Sequence, residues 1–412
     1  MDGREFKEKV FEDFHGEEVV ELASRLIKIP SVNPPGDTSE IAAFVKNYLE
    51  EEGVSVELCE PAEKKVNLIA EIGEKGSKRV LVLNGHLDVV PIGDRSRWSF
   101  DPFSGEIRDG YLHGRGASDM KGGLAGIIYA FKKLVKFEDR LRGGLKLVCV
   151  ADEETGGTYG AAYLVEGGKA LGSSVLIAEP TGMNLINIGE KGAIWAKIIV
   201  KGIPGHGSLS PFIGDNAIVK SVNLIRELMK VTEMRGELPK ELLDVAEYSR
   251  NLLKKFVSSE ASKAIDHPTI NFGIIRGGTK VNIIPDRCEL EIDIRIPIGL
   301  SAAKIMSRIK EIVEKYGEIE FAGVGEPNYT SPNSEIVKVV EKNVREILGI
   351  EPKPFLEWAS SDARHFRKAN IPTIHYGPAE MEGIHGYNER VKVEDLVNAA
   401  RVYLGAAIDY LT

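Results

Sequence analysis

Apolar residues recur at helical spacing over 16–28 and again over 38–52, and the Pro/Gly breaker SVNPPGDTS separates the two predicted helices. Three apolar, β-rich runs follow at Val66–Ile72, Arg79–Leu83 and Gly144–Val150. Between the second and third, Lys121–Lys136 carries a helical pattern rich in Ala, Ile and Leu, and a further strand is expected over Ser174–Ala178. Strands alternating with helices predict an α/β layered domain with a mixed, largely parallel sheet flanked by helices.

The pattern changes near Gly189–Gly192. A strand over Ile194–Lys201 leads to a helix over Asp215–Lys230, then a polar helical stretch to about Asp266. Two alternating strands (Thr269–Arg276, Cys288–Ile296), a helix (Ser301–Tyr316) and a strand (Glu318–Val324) complete a β-α-β-β-α-β order once the extra helical stretch is set aside. That order is the split, ferredoxin-like α+β unit. After Pro327 the chain returns to helix, short strand and loop, ending in a helix over Val393–Tyr410. The expected organisation is one α/β domain, 1–190 with 327–412, interrupted by an inserted domain over 191–326.

At 412 residues the chain is long for a single hydrophobic core, which agrees with two domains. A net charge of −9 with no concentrated basic stretch argues against nucleic acid or an anionic membrane surface as partner. The opening MDGREFKEKVFEDFHGEE is charged throughout and lacks the apolar region of a signal peptide, and no apolar run approaches the roughly 20 residues of a membrane helix. A cytoplasmic location is the expectation. Cys59, Cys149 and Cys288 are far apart, form no CxxC pair and sit in apolar contexts, so they read as buried free thiols. Abundant Lys and Glu with no Gln is a bias that thermophile proteins show.

Candidate chemistry gathers at strand ends. In NGHLDVVP, residues two apart on an extended chain point to the same side, so His86 and Asp88 converge. A carboxylate behind a ligating imidazole fixes its tautomer, although a strand-end turn with a solvated Asp reads equally well for this motif alone. In GRGASDMKGG, Asp119 precedes an apolar helix and taken alone is an N-cap; the surrounding glycines permit turns that a plain cap does not need. ADEETGG places Glu153 and Glu154 directly after a buried strand, where one can bind metal while the other addresses a water. Glu179 in AEPTG caps another apolar strand, and His385 in GIHGYNE lies in a loop soon after the strand Thr373–Tyr376. Together these put two His and several carboxylates past the carboxyl ends of strands, where open α/β sheets bind ligands. His and carboxylate donors without Cys suit a catalytic zinc site open to solvent.

GHLDVVP, GRGASDMKGG, ADEETGG, AEPTG and IHGYNE, in this order, resemble the zinc peptidase family of acetylornithine deacetylase, succinyl-diaminopimelate desuccinylase, aminoacylase and glutamate carboxypeptidase. The resemblance implies two Zn²⁺ per chain, with Co²⁺ or Mn²⁺ as possible substitutes. It places His86 and Glu179 on one ion, Glu154 and His385 on the other, and Asp119 bridging. Asp88 orients His86, and Glu153 activates the metal-bridging water as general base. His206, in GIPGHGS, is implied to reach the active site of a partner subunit, which requires a homodimer through the inserted domain acting as lid. Arg295, Asn282, Ser360 and Gly377 match substrate-side positions, though Arg295 reads equally well as a solvated strand-end residue. The implied reaction is hydrolysis of the amide bond of an N-acyl amino acid, a deacylase of amino-acid metabolism. A metallocarboxypeptidase or dipeptidase of the same family, acting on short peptides, is the alternative; a non-catalytic metal- or ligand-binding relative is the alternative of another class. His15, His267 and His375 have no carboxylate partner in this reading, His113 and His365 are not ligands, and Trp98, Trp195 and Trp358 are packing residues.

Overall fold

The computed structural model describes residues 3–74 and 76–412. The chain divides into two compact units. The first comprises the chain up to Ile188 with Thr330–Pro354 and Ser361–Thr412; the second comprises Gly189–Tyr329 with Phe355–Ser360.

The first unit opens with helices α1 (Gly3–Glu12), α2 (Gly16–Ile27) and α3 (Ser39–Glu50), then strands β1 (Val56–Ala62), β2 (Lys65–Gly73) and β3 (Val80–His86). Two short strands, β4 (Glu106–Arg108) and β5 (Tyr111–His113), precede α4 (Lys121–Val135), β6 (Gly144–Val150), α5 (Tyr163–Glu166), β7 (Ser174–Ile177) and β8 (Leu185–Glu190). In the second unit come β9 (Gly192–Lys201), α6 (Ala217–Met229), α7 (Leu243–Phe256), β10 (Thr269–Gly277), β11 (Arg287–Ile296), α8 (Ala302–Val313) and β12 (Gly317–Gly325). The remaining elements are β13 (Asn328–Tyr329), α9 (Glu335–Leu348), β14 (Lys353–Leu356), α10 (Ala363–Lys368), β15 (Thr373–His375), β16 (Arg390–Lys392) and α11 (Val393–Leu411).

The main sheet runs β1-β2-β6-β3-β7-β15-β8. Its centre is parallel: β3 pairs in parallel with β6 and β7, and β7 with β15. The flanking pairs β1–β2, β2–β6 and β15–β8 are antiparallel. The predicted mixed, largely parallel sheet is therefore the observed one. β3 is buried along its whole length, as a strand covered on both faces must be, and its sequence VLVLNGH is accordingly apolar until it ends. Helix α4 covers the sheet between α2 and α11, burying Leu124, Ile127, Ile128, Phe131 and Leu134. Its glycines allow close approach: a Cβ on Gly123 would lie 2.0 Å from the Ala178 carbonyl oxygen, so only glycine lets α4 meet the end of β7.

The second unit holds a four-stranded antiparallel sheet in the order β10-β11-β9-β12. Renumbered within the unit this is 2-3-1-4, the ferredoxin-like arrangement expected from its β-α-β-β-α-β pattern. Strand β11 alternates strictly, with Cys288, Leu290, Ile292, Ile294 and Ile296 facing the core formed with α6 and α8. The predicted polar helical stretch is α7, a 14-residue helix added to that pattern. All three cysteines are buried and free. Among the described residues no helix is long and apolar enough to cross a membrane.

Candidate metal centre

The candidate residues of the first unit collect past the carboxyl ends of adjacent parallel strands. His86 ends β3, Glu153 and Glu154 follow β6, and Glu179 follows β7. Asp119 stands at the turn before α4, and its peptide bond to Met120 is cis. Two groups of ligand atoms result, His86 with Asp119 and Glu179, and Asp119 with Glu154 and His385, each with its atoms within 4.8 Å of one another. His86 Nε2 lies 3.1 Å from Asp119 Oδ1 and 3.7 Å from Glu179 Oε1. His385 Nε2 lies 3.1 Å from Asp119 Oδ2 and 3.2 Å from Glu154 Oε2. Asp119 thus offers one oxygen to each imidazole.

The Asp88 side chain, fully buried, faces the far nitrogen of His86. His86 Nδ1 lies 2.9 Å from the Asp88 carbonyl oxygen and 3.5 Å from Asp88 Oδ1. The Asp88 carboxylate also accepts the Glu153 and Glu154 backbone N–H groups at 3.2 and 3.3 Å, so one residue orients an imidazole and anchors the turn bearing both glutamates. Asn33 Nδ2 donates to Asp88 Oδ2 at 2.8 Å from a loop 55 residues away. Nothing in the sequence marks Asn33. The turn is further held by Arg364, which donates to the Gly156 carbonyl at 2.6 Å and to the Ser361 carbonyl at 2.9 Å.

Electrostatically, this is a crowded anionic pocket. Burial, with the negative charges of Glu179, Asp362 and Glu154, holds the Glu153 carboxyl well above the usual carboxylate range. Burial and Asp119 likewise raise Glu154. The hydrogen bonds to Asp119 and Glu154 push His385 up to about 10. Burial opposes charge on His86, but Glu179, Asp119 and Asp88 override it and raise the imidazole well above its ordinary value. The pocket therefore wants positive charge. Glu154 Oε1 is buried and accepts no hydrogen bond, an acceptor that a cation would satisfy. Two imidazoles and three carboxylates sharing one aspartate fit a pair of divalent ions, and the all-N/O donor set suits zinc, cobalt or manganese more than a soft metal.

The sequence matches the pattern of Peptidase family M20/M25/M40 over residues 82–409. The chain belongs to this family. It is a hydrolase of amide or peptide bonds. This M20 chain is 29% identical over 396 residues, 93% of its length and 94% of the relative's, to a succinyl-diaminopimelate desuccinylase of Hahella chejuensis. Its fold is similar to that of an M20 family metallo-carboxypeptidase from Sulfolobus solfataricus, with a TM-score of 0.80, 23% identity and coverage of 95% and 99% of the two chains. It is similar also to a dinuclear metal-binding peptidase of the M20 family from Bacillus subtilis, with a TM-score of 0.67, 18% identity and coverage of 96% and 98%.

Of the other candidates of this M20 chain, Gly377 belongs to the first unit, and Ser360, His206, Asn282 and Arg295 to the second. Gly377 is buried behind Glu179: a Cβ there would lie 2.6 Å from the Glu179 carbonyl oxygen and 2.7 Å from that of Ala178. Ser360 closes the segment Phe355–Ser360 of the second unit. In that unit His206 is exposed, with Nδ1 2.7 Å from Ser208 Oγ. The Gly207 N–H donates to the Asn282 carbonyl at 2.9 Å, so the His206 and Asn282 loops, 76 residues apart, lie side by side. Arg295, on β11, has its guanidinium on Asp293, at 3.2 Å from Nε and 2.9 Å from Nη2 to Oδ2.

The readings of His15, His267, Trp195 and Trp358 change: His15 Nε2 stands 3.5 Å from Asp13 Oδ1. His267 does have a carboxylate partner, Asp266 Oδ1 at 2.8 Å from Nδ1, because a turn brings adjacent side chains together that a strand would splay apart. His375 is buried between Asn187 Nδ2 at 2.9 Å and Ser361 Oγ at 3.0 Å. Trp98 packs in the core against Phe100 and Tyr387, whereas Trp195 and Trp358 remain 46% and 40% exposed and are not core residues.

Proposed function

We propose that this chain is a two-metal deacylase that releases the acyl group of N-acyl amino acids, succinylated ones among them. His86 and Glu179 would hold one ion, Glu154 and His385 the other, with Asp119 shared between them. The observation that carries the reading is Asp119, whose two oxygens each stand 3.1 Å from a different imidazole, with the Glu153 carboxyl held protonatable in the same pocket. Bound divalent ions, zinc in this reading with cobalt or manganese as substitutes, supply Lewis acidity toward the scissile carbonyl and acidify water. Glu153 takes the proton from the attacking water and delivers it to the leaving nitrogen, a role that its burial beside Glu179 and Glu154 suits. Asp88 fixes the orientation of His86.

Residues 1–190 and 327–412 form the metal-binding catalytic domain in this reading, and 191–326 a lid and dimerisation domain. The second unit exposes Ile203, Leu209, Phe212, Val219, Val281 and Ile283, an apolar surface that supports a homodimer. Across that dimer, His206 stabilises the oxyanion in the partner's site, and Asn282, Arg295, Ser360 and Gly377 form the substrate side. Asp293 engages two of the guanidinium nitrogens of Arg295, which leaves the five-donor fork capacity for a substrate carboxylate. The compartment is the cytoplasm.

The test is hydrolysis by the zinc-loaded chain of a panel of N-succinyl and N-acetyl amino acids, dipeptides and longer peptides, each paired with a chelated control. Chelator-sensitive release of the acyl group is the expected outcome. Preference for dipeptides or for C-terminal residues would move the reading to a dipeptidase or carboxypeptidase. No cleavage with about two ions bound would favour a non-catalytic relative.

A further inference from the structure

Glu389 ends the GIHGYNE motif, yet no role falls to it in the chemistry above. It is fully buried and its two oxygens accept four donors: Arg115 Nη1 at 2.6 Å and Gly116 N at 3.0 Å on Oε2, Ser118 N and Asp119 N at 3.0 Å each on Oε1. A carboxylate is thus wrapped by the turn that presents Asp119. Arg115, itself 2% exposed, turns its other terminal nitrogen outward to two further carbonyls, Gly386 at 2.8 Å and Pro91 at 3.3 Å. Trp98 closes over the guanidinium, with its ring centre 5.1 Å away.

These contacts fall on three separate stretches of chain. Pro91 follows the β3 end that carries His86 and Asp88; the Gly114–Asp119 turn carries Asp119; Gly386 is the residue after His385. We infer that the buried Arg115–Glu389 pair is a positioning device for the metal centre, a clamp that sets the spacing between the His86, Asp119 and His385 donors. This rests on the metal-centre reading above and adds to it a pair that contacts no ion. Burying two charges has a desolvation cost that packing apolar residues would avoid, so the pair is poor value as a stabiliser alone. Its geometry instead meets the need of a site whose donors come from distant parts of the chain. A carboxylate accepting the Asp119 N–H fixes the backbone of the shared ligand, and a planar fork reaching two carbonyls fixes the loops on either side. His385 and Asn388 hold φ of 56° and 59°, left-handed values for non-glycine residues, so the loop needs external restraint to keep that shape.

The experiment is zinc binding to the full chain in competition with a chromogenic chelator, followed by the absorption spectrum of the cobalt-loaded protein. Wild type, Glu389→Gln, Arg115→Lys and Asp266→Asn are compared. Asp266 is an equally buried carboxylate that accepts Arg235 at 3.0 Å and Arg250 at 3.2 Å in the second unit. Glu389→Gln is expected to weaken zinc binding about 10- to 100-fold, the usual effect of losing a partner behind the ligands, and to alter the cobalt spectrum. Arg115→Lys, which keeps the charge and loses the fork, is expected to do the same to a smaller degree and reads the clamp if the glutamine variant does not fold. Asp266→Asn should lower the melting temperature and leave zinc affinity and spectrum unchanged. If Glu389→Gln and Arg115→Lys melt earlier but bind zinc within about twofold of wild type with an unaltered spectrum, the pair is merely structural and the inference fails. If the wild-type chain binds no zinc, the metal-centre reading itself falls and takes this inference with it.

Discussion

His86 and His385 end equally close to Asp119, yet one imidazole is 1% exposed and the other 55%. The contrast follows from the elements that carry them. His86 is the last residue of a fully buried parallel strand, and its far nitrogen is backed by Asp88. His385 stands on a loop between the 3-10 turn Met381–Gly383 and the short strand β16, and its ring faces the two carboxylates it would share with an ion. The first triad is built into the sheet, whereas the second is completed by a loop. Ligands fixed by secondary structure give a site that keeps its shape without an ion; a ligand on a loop gives one that exchanges its ion more readily.

The largest effect is expected at Glu153. In the proposed mechanism Glu153 serves both triads, so Glu153→Gln should lower turnover by about 10²- to 10⁴-fold while zinc content stays near wild type, as metal analysis beside the hydrolysis assay would show. Retained activity would remove Glu153 from its role. Next, His385→Ala should lose one of two ions and keep the other, whereas His86→Ala should disturb both, because Asp88 backs His86 and also holds the backbone of Glu154. Equal loss of both ions in the two variants would mean that the triads are not separable.

A pH series sharpens the difference. In the metal-free chain the folded-state pKa of His385 is raised to about 10, above its unfolded value of about 6.5. Its contribution to stability is therefore fully present below about 6.5 and is lost as pH rises through about 10. Thermal melting of the chelated protein should fall across that window, and the fall should vanish in the zinc-loaded protein, where the ion replaces the proton. The smallest effect is expected from Asn33→Ala, which removes one donor from Asp88 and should cost about 1.5–3 kcal/mol by denaturant unfolding, with slightly weaker binding of the buried ion.

Much of this site is legible in the sequence, and the reason is architectural. His86, Glu153, Glu154 and Glu179 each follow an apolar run, and the end of a parallel strand is where polar side chains reach a common edge. What the sequence hides is the second layer. Asn33, Arg364 and Arg115 find their acceptors 55, 208 and 274 residues away, distances at which no periodicity speaks. The three-residue strands β4, β5 and β16 escape for a related reason, since a period of two needs more than three positions to show. β1 is missed because VELCEPA buries only Cys59 and shows no apolar face. The fold class is legible because apolar strands alternate with helices along the chain, and the inserted ferredoxin-like unit because β9, β11 and β12 are long and alternate.

The last donor is separated from the others by the whole second unit, and this sets an order of events at the ribosome. His86, Asp119, Glu154 and Glu179 have all been synthesised by residue 179, and His385 follows about 200 residues later. At about 5–20 residues per second, the emerging chain spends on the order of 10–40 s with the sheet-borne triad written and the loop-borne one lacking its imidazole. β15, which lies between β7 and β8 in the finished sheet, is also missing for most of that interval. An ion captured during that interval would find the sheet-borne donors alone, and a second would have to wait for the loop that carries His385.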